Sequence, residues 1–363
     1  MPFLLQTIDS MTRRRKILAG CSVVLLLFTG ALLYPLVPNT AAAPSAGHSV
    51  LQEPLTDQLV RFANETDTID ALIVASSDGV LLEHGMTHVP INTHSVRKSI
   101  MAVLVGIAVQ DHGMDISQTL QELDIDDAVM PLTEVERQAQ VKHLLQARSG
   151  IYIEAAGETA EMKAGRPRRG QYQPGEHYYY NNWDFNVLGT VLHAATGRTL
   201  QQHMASLSER LNMQDYTDDH LYYSATDASE HDQYVIFMSA RDLLKIGQLM
   251  IREGRDELGN PVISPEWVTE STTQYSELEG REPLDGYGYL WSIDSQSETF
   301  WATGWGGQFM LVDPSNDLII VTRNDTGRRL GHIGLALAGY LGQGRMNHVM
   351  QIRDMVLASR TAD

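Results

Sequence analysis

From Ile100 to Val109 every position of the chain is apolar or glycine, inside the stretch HSVRKSIMAVLVGIAVQDHG that runs from His94 to Gly113. A helix built on this pattern has no polar face for water, so it is predicted to cross the middle of the fold and to stop at Gly113. Other segments show helical spacing on one face only. Leu55, Leu59 and Phe62 recur after Leu51 and end at the polar run 64–67. Val187, Leu188, Val191 and Leu192 mark a helix over 183–195, and Leu243, Leu244, Ile246, Leu249, Met250 and Ile251 mark another over 239–254 with Ser239 as its N-cap. A short amphipathic helix is expected over 141–146, ending at Ser149-Gly150. Residues 71–75 (ALIVA) read as a buried strand, with 80–83 as its hairpin partner. Four more strands are expected over 287–291, 299–303, 309–312 and 318–322, and a helix with a glycine interruption near 342–344 over 333–358.

Strands therefore cluster at both ends of the chain and helices lie between them. This order predicts an α/β fold of the α+β type, an antiparallel sheet built from both chain ends and flanked by helices. A single domain is expected over 51–363, its α/β part formed by 51–110 and about 260–363 and interrupted by a mainly helical insert over about 111–259. The 363 residues are ample for such a core.

The amino terminus stands apart. Residues 1–16 end in Arg13, Arg14, Arg15 and Lys16, and 17–37 carry no charge, long enough to cross a bilayer at about twenty residues. The expectation is a transmembrane anchor with a cytoplasmic basic segment, a linker over 38–50, and a domain on the periplasmic side of a bacterial inner membrane. Ala41, Ala42 and Ala43 offer a signal-peptidase site as the alternative, which would release the domain. The single cysteine, Cys21, belongs to a lipobox-like LAGC that precedes its hydrophobic segment instead of following it.

Net charge is −18, from 45 acidic and 27 basic residues, which argues against a nucleic-acid partner. Lys163, Arg166, Arg168 and Arg169 form a dense basic cluster in a predicted loop over 157–175, read as a solvated loop rather than an anion site. No metal and no cofactor are expected: there is no HExxH or cysteine pair, and GWGGQ does not open a helix after a strand as a dinucleotide motif does.

The candidate chemistry begins with Ser95 and Lys98, which a helical turn places on one face. A serine is a weak nucleophile until a base takes its proton, and an amine serves only if burial or nearby positive charge lowers its pKa. The pair also fits a plain N-cap serine followed by a solvated lysine. Tyr178-Tyr179-Tyr180 precedes the 183–195 helix, and a phenol can relay a proton to a leaving group or pack as an interfacial aromatic. At 302–308 the string Ala-Thr-Gly-Trp-Gly-Gly-Gln fits either a strand edge that admits a substrate to the main chain or a bulged hairpin.

Taken in order, SVRKSI at Ser95, HLLQARSGI at His143, PGEHYYYNNWDFNVLG at Pro174, MSARDLLKIGQLM at Met238 and GWGGQFMLVDP at Gly304 resemble the serine beta-lactamase and penicillin-binding-protein superfamily. Within its class C branch the chain is similar to the esterase and 6-aminohexanoate-dimer hydrolase relatives. The resemblance implies a beta-lactamase/transpeptidase-like fold and a serine hydrolase that cleaves small ester, amide or peptide substrates through an acyl-enzyme. It makes Ser95 the nucleophile and gives the proton transfers to Lys98 and Tyr180. Asn182 would orient Lys98 and the substrate, with Tyr178 and Tyr179 as substrate-facing neighbours. Thr303 and Gly304 would form the substrate strand, and the Ser95 and Trp305 N–H groups the oxyanion hole. Lactam-processing members carry lysine or histidine where this chain has Ala302, so the cation for a lactam carboxylate is missing there. Esterase or amidase activity is thus expected ahead of a D,D-carboxypeptidase or beta-lactamase, and ahead of a non-catalytic binding module.

Overall fold

The computed structural model describes residues 45–326 and 346–361. The expected anchor at 17–37 and the first part of the helix expected over 333–358 lie outside these; among the described residues no helix is long and apolar enough to cross a membrane. In chain order the elements are β1 (Ser45–Ser49), α1 (Glu53–Glu65), β2 (Ala71–Ala75), β3 (Val80–Gly85), β4 (Ile91–Asn92), α2 (Val96–His112), α3 (Val141–Leu145) and α4 (Ala160–Gly165). There follow α5 (Asn182–Thr196), α6 (Leu200–Arg210), β5 (Leu221–Thr226), β6 (Ser229–Met238), α7 (Ala240–Ile251) and α8 (Pro265–Ser271). The chain then forms β7 (Ser276–Glu277), β8 (Gly286–Tyr287), β9 (Ser292–Asp294), β10 (Thr299–Gly304), β11 (Gln308–Asp313), β12 (Leu318–Arg323) and α9 (Met346–Arg360).

One antiparallel sheet has the order β1-β3-β2-β12-β11-β10-β9-β8-β7, and β2 joins β12 with Ile73 opposite Val321. The two ends of the chain thus meet at the sheet's centre, as the strand order predicted. Side chains alternate across it with the period of two that a pleated strand imposes. Ala71, Ile73 and Ala75 of β2 and Ile319 and Val321 of β12 enter one core, while Leu72, Val74, Leu318 and Ile320 enter another with Leu59 of α1 and Ile352 of α9. The first core holds α2, which is buried continuously from Val96 to Ala108 and ends on Gly113 in the left-handed conformation that glycine tolerates. Gly106 is required by close approach: a Cβ there would stand 2.3 Å from Trp267 Nε1 of α8. That indole donates to the Ala102 carbonyl of α2 at 3.1 Å.

Four features differ from the sequence pattern. Besides helices α3 to α7, the insert holds a β5–β6 hairpin, which joins β4 (Ile91–Asn92) from the preceding segment in a second sheet. The inward positions of β6 include Ser229 and His231, so its apolar alternation is broken and no strand is signalled. The α7 helix, placed in the insert by its position in the chain, instead packs on β2, β11 and β12; Gly247 faces Met310 and Ile319 there. The expected strand at 287–291 is two short strands around a bend where Leu290 takes a φ of 62°. Finally, Ser45–Ser49, within the expected linker, pairs with β3 at the sheet edge.

Candidate active site

The turn that carries Ser95 is anchored to both sheets. Thr93 donates its N–H to the Ile236 carbonyl of β6 at 2.9 Å, and His94 follows with a φ of 46°, an uncommon left-handed value for a residue with a side chain. This turn delivers Ser95 to the head of α2. Behind it the fully buried Arg323 of β12 donates to the carbonyls of Met238 (2.9 Å) and Ile91 (2.8 Å) and to Gln308 Oε1 (2.7 Å). On the other side β10 lies so close that a Cβ on Gly304 would stand 2.5 Å from the Thr93 carbonyl oxygen. Only glycine fits there.

Ser95 makes no capping hydrogen bond, and Lys98 does not reach solvent: it is 3% exposed and its Nζ lies 2.9 Å from Ser95 Oγ, donating to it. The amine sits over the rings of Tyr180 (4.7 Å) and Phe185 (4.8 Å). Burial holds it well below the ordinary lysine range, and the positive charges of Arg97 and Arg281 push it the same way. Burial raises the pKa of Tyr180, while the Ser95 hydroxyl and the charges of Arg281 and Arg97 draw it back. It is a neutral phenol, suited to handing on a proton.

The other two tyrosines face elsewhere, contrary to their expected substrate-facing role. Tyr178 packs on Tyr287 with ring centroids 5.2 Å apart, and Tyr179 donates to the Met162 carbonyl at 2.5 Å. Neither lines the cleft of about 1140 Å³ that contains Ser95, Lys98, Tyr180, Asn182, Thr303, Gly304 and Trp305. Asn182 is buried with Nδ2 3.4 Å from the Ala156 carbonyl, and its Oδ1 has no partner, so it holds no hydrogen bond from Lys98. Thr303 faces the cleft between the buried Ala302 and Gly304. The turn after Gly304 is pinned by Asn324, whose Nδ2 donates to the Gly306 carbonyl at 2.5 Å.

Three further residues belong to the site. His94 stands edge-on to Trp305 at 5.3 Å; burial, then the charges of Arg323, Lys98 and Arg97, lower its pKa to about 4, so it is neutral. Arg281, from the loop between β7 and β8, lies 5.6 Å from the Tyr180 ring centroid, and nothing in its sequence context marks it. Arg97, 2% exposed, was not singled out in the sequence; its signal is a second charge beside Lys98 at the head of a helix that is apolar from Ile100 to Val109. By contrast the dense basic cluster, expected as a solvated loop, lies partly on α4 and is neutralised by carboxylates, two of them buried. Lys163 pairs with Glu154, Arg166 with Glu158 and Arg169 with Glu136, and Arg168 is exposed.

A comparison with curated proteins gives no match. Among solved structures the chain is similar to a beta-lactamase from Mycobacterium bovis, with a TM-score of 0.53 and 21% identity over 80% of this chain and 94% of that one. A penicillin-binding protein homologue from Pyrococcus abyssi, octameric, gives 0.55 and 18% over 80% and 77% of the two chains. A candidate 6-aminohexanoate-dimer hydrolase from Bacillus anthracis gives 0.54 and 17% over 84% and 87%. These likenesses establish the fold. The family model described as Beta-lactamase matches residues 90–327, which span the Ser95 turn, the tyrosine motif and the β10 strand, and the chain belongs to that family.

Proposed function

We propose that this protein is a serine hydrolase that cleaves small ester or amide bonds through an acyl-enzyme on Ser95. The observation that carries the reading is the close group of Ser95, a buried Lys98 amine 2.9 Å from its Oγ, and the Tyr180 ring 4.7 Å from that amine in the same cleft. Ser95 Oγ attacks the carbonyl carbon as its proton passes to the Lys98 lone pair. The developing oxyanion meets the N–H groups of Ser95 and Trp305, each such donor typically supplying about 2.7–4 kcal/mol of transition-state stabilisation. Tyr180 passes its proton to the leaving group and takes the one held by Lys98 in its place, and water then releases the acyl group by the reverse route. The buried Ala302 supplies no cation on β10, which favours substrates without a carboxylate beside the scissile bond. Residues 17–37 would hold the domain at the periplasmic face of a bacterial inner membrane.

Profiling kcat/KM across a short-chain nitrophenyl ester, a linear amide and a D-Ala-D-Ala peptide, alongside labelled penicillin, tests the substrate class. The ester or amide is expected to turn over with no lasting penicillin label. A stable penicillin adduct on Ser95 with peptide turnover would instead indicate a D,D-carboxypeptidase.

A further inference from the structure

Tyr180 lies in a stretch, 177–181, that has no regular secondary structure, so its place opposite Ser95 depends on what ties that stretch down. The ties converge on Arg148, in the loop after α3. Its backbone carbonyl accepts from the Gly175 N–H at 2.7 Å, and the neighbouring Ala147 carbonyl accepts from the Tyr179 N–H at 2.9 Å. Its guanidinium reaches the same region: Nε donates to the Gly175 carbonyl and Nη2 to the Glu176 carbonyl, each at 2.9 Å. Nη1 turns the other way and donates to the Tyr275 carbonyl and to Ser276 Oγ of β7, again at 2.9 Å. Ser276 stands opposite Tyr287 of β8, and the Tyr287 ring packs on both Tyr178 (5.2 Å) and Tyr180 (6.3 Å). One side chain thus holds the backbone that leads to Tyr180 and the strand pair that carries a ring packed on it. None of its four acceptors is a carboxylate, unlike those of Arg166 and Arg169, so the planar fork is matched to fixed positions and neutralises nothing.

We propose that Arg148 is a positioning residue: by clamping Gly175 and Glu176 to Tyr275 and Ser276 it fixes the Tyr180 phenol where it can pass a proton to the leaving group. The proposal rests on the role given to Tyr180 above. Proton transfer demands hydrogen-bond reach, and a displacement of about 1 Å caused far from the chemistry can cost roughly 10²-fold. Arg148 is not among the residues that line the cleft, so it acts through what it holds rather than on the substrate. Lysine, a point charge on a flexible stem, does not reproduce a fork that serves acceptors on both sides.

The test compares kcat/KM for two butyrate esters, one releasing nitrophenol and one releasing ethanol, in the wild type, Arg148→Met, Tyr180→Phe and the double variant. Nitrophenolate departs without a proton and an alkoxide does not, so misplacement of Tyr180 is read on the ethyl ester. Arg148→Met should lower kcat/KM on the ethyl ester by about tenfold and on the nitrophenyl ester by much less. In the Tyr180→Phe background it should cost little further, because both changes remove one function. A merely structural role, which lowers the amount of folded enzyme, would instead lower both esters alike and add to Tyr180→Phe. If Arg148→Met does not fold, as judged by thermal melting, Arg148→Lys, which keeps the charge without the fork, carries the same expectation. An equal loss on the two esters, no loss on either, or full additivity with Tyr180→Phe overturns the proposal alone. A Tyr180→Phe that is silent on the ethyl ester, or a wild type that does not cleave that ester, overturns the Tyr180 reading and the proposal with it, so the two failures are distinct.

Discussion

Lys163, Arg166 and Arg169 stand close together in sequence and each meets a carboxylate in space, whereas Arg97, Lys98 and Arg281 come from two distant parts of the chain and gather around Ser95 and Tyr180 with no ion pair among the described residues, in a cleft that Glu161 and Glu282 also line. The first group is a dense charge run that cancels locally and leaves little field. In the second, Arg97 and Lys98 are buried away from the water that screens charge while Arg281 stands exposed, and both arginines push the one amine in the same direction as its burial does. Density along the sequence therefore points to the wrong cluster. What separates a site from a solvated face here is whether a cation has been given a partner.

This contrast can be broken most forcefully at Lys98. Lys98→Met removes the base while filling the same apolar space, and kcat/KM should fall by about 10²–10⁴ in a steady-state ester assay. Retention of wild-type rates would return Lys98 to a structural role. A smaller but sharper test compares neighbouring tyrosines. Tyr180→Phe should lose about 10² in kcat with the fold intact by circular dichroism. Tyr179→Phe loses only its bond to the Met162 carbonyl, costing about 1 kcal/mol in denaturant unfolding with turnover retained. The reverse outcome would place the catalytic phenol one residue earlier. The smallest effect is expected in the paired cluster: Lys163→Ala should leave both the melting temperature and kcat/KM unchanged, since Lys163 and Glu154 are about half exposed at 48% and 46%.

Much of the frame was legible because its signals are local. The unbroken apolar run of α2 and the strands at 71–75, 309–312 and 318–322 reflect cores on both faces of one sheet, and buried strands read as continuous apolar runs. The β5–β6 hairpin was not legible, because Ser229 and His231 occupy inward positions and are satisfied by tertiary bonds, to Asp127 Oδ2 and the Asp126 carbonyl. The α6 helix was not read from the sequence, because its apolar content is low; the Thr199–Gln202 capping box is the signal that marks it. At the site, Ser95 and Lys98 follow from helical spacing, and Tyr180 from its motif. Arg281 reaches the cleft from a loop far along the chain, and the left-handed turn at His94 is a backbone property that its residue type does not announce. Asn182 lies in the cleft as the motif implies, yet its unpartnered Oδ1 shows that motif position does not fix the hydrogen bond expected of it.

The central claim is that the chemistry passes through Ser95, and covalent capture tests it most directly. The protein is treated with an alkyl fluorophosphonate, its intact mass measured and the adduct located by peptide mapping, in the wild type and in Ser95→Ala. One phosphonyl group on Ser95, absent from the folded alanine variant, is the predicted result. No adduct on the wild type, or one that persists in Ser95→Ala, would contradict the account.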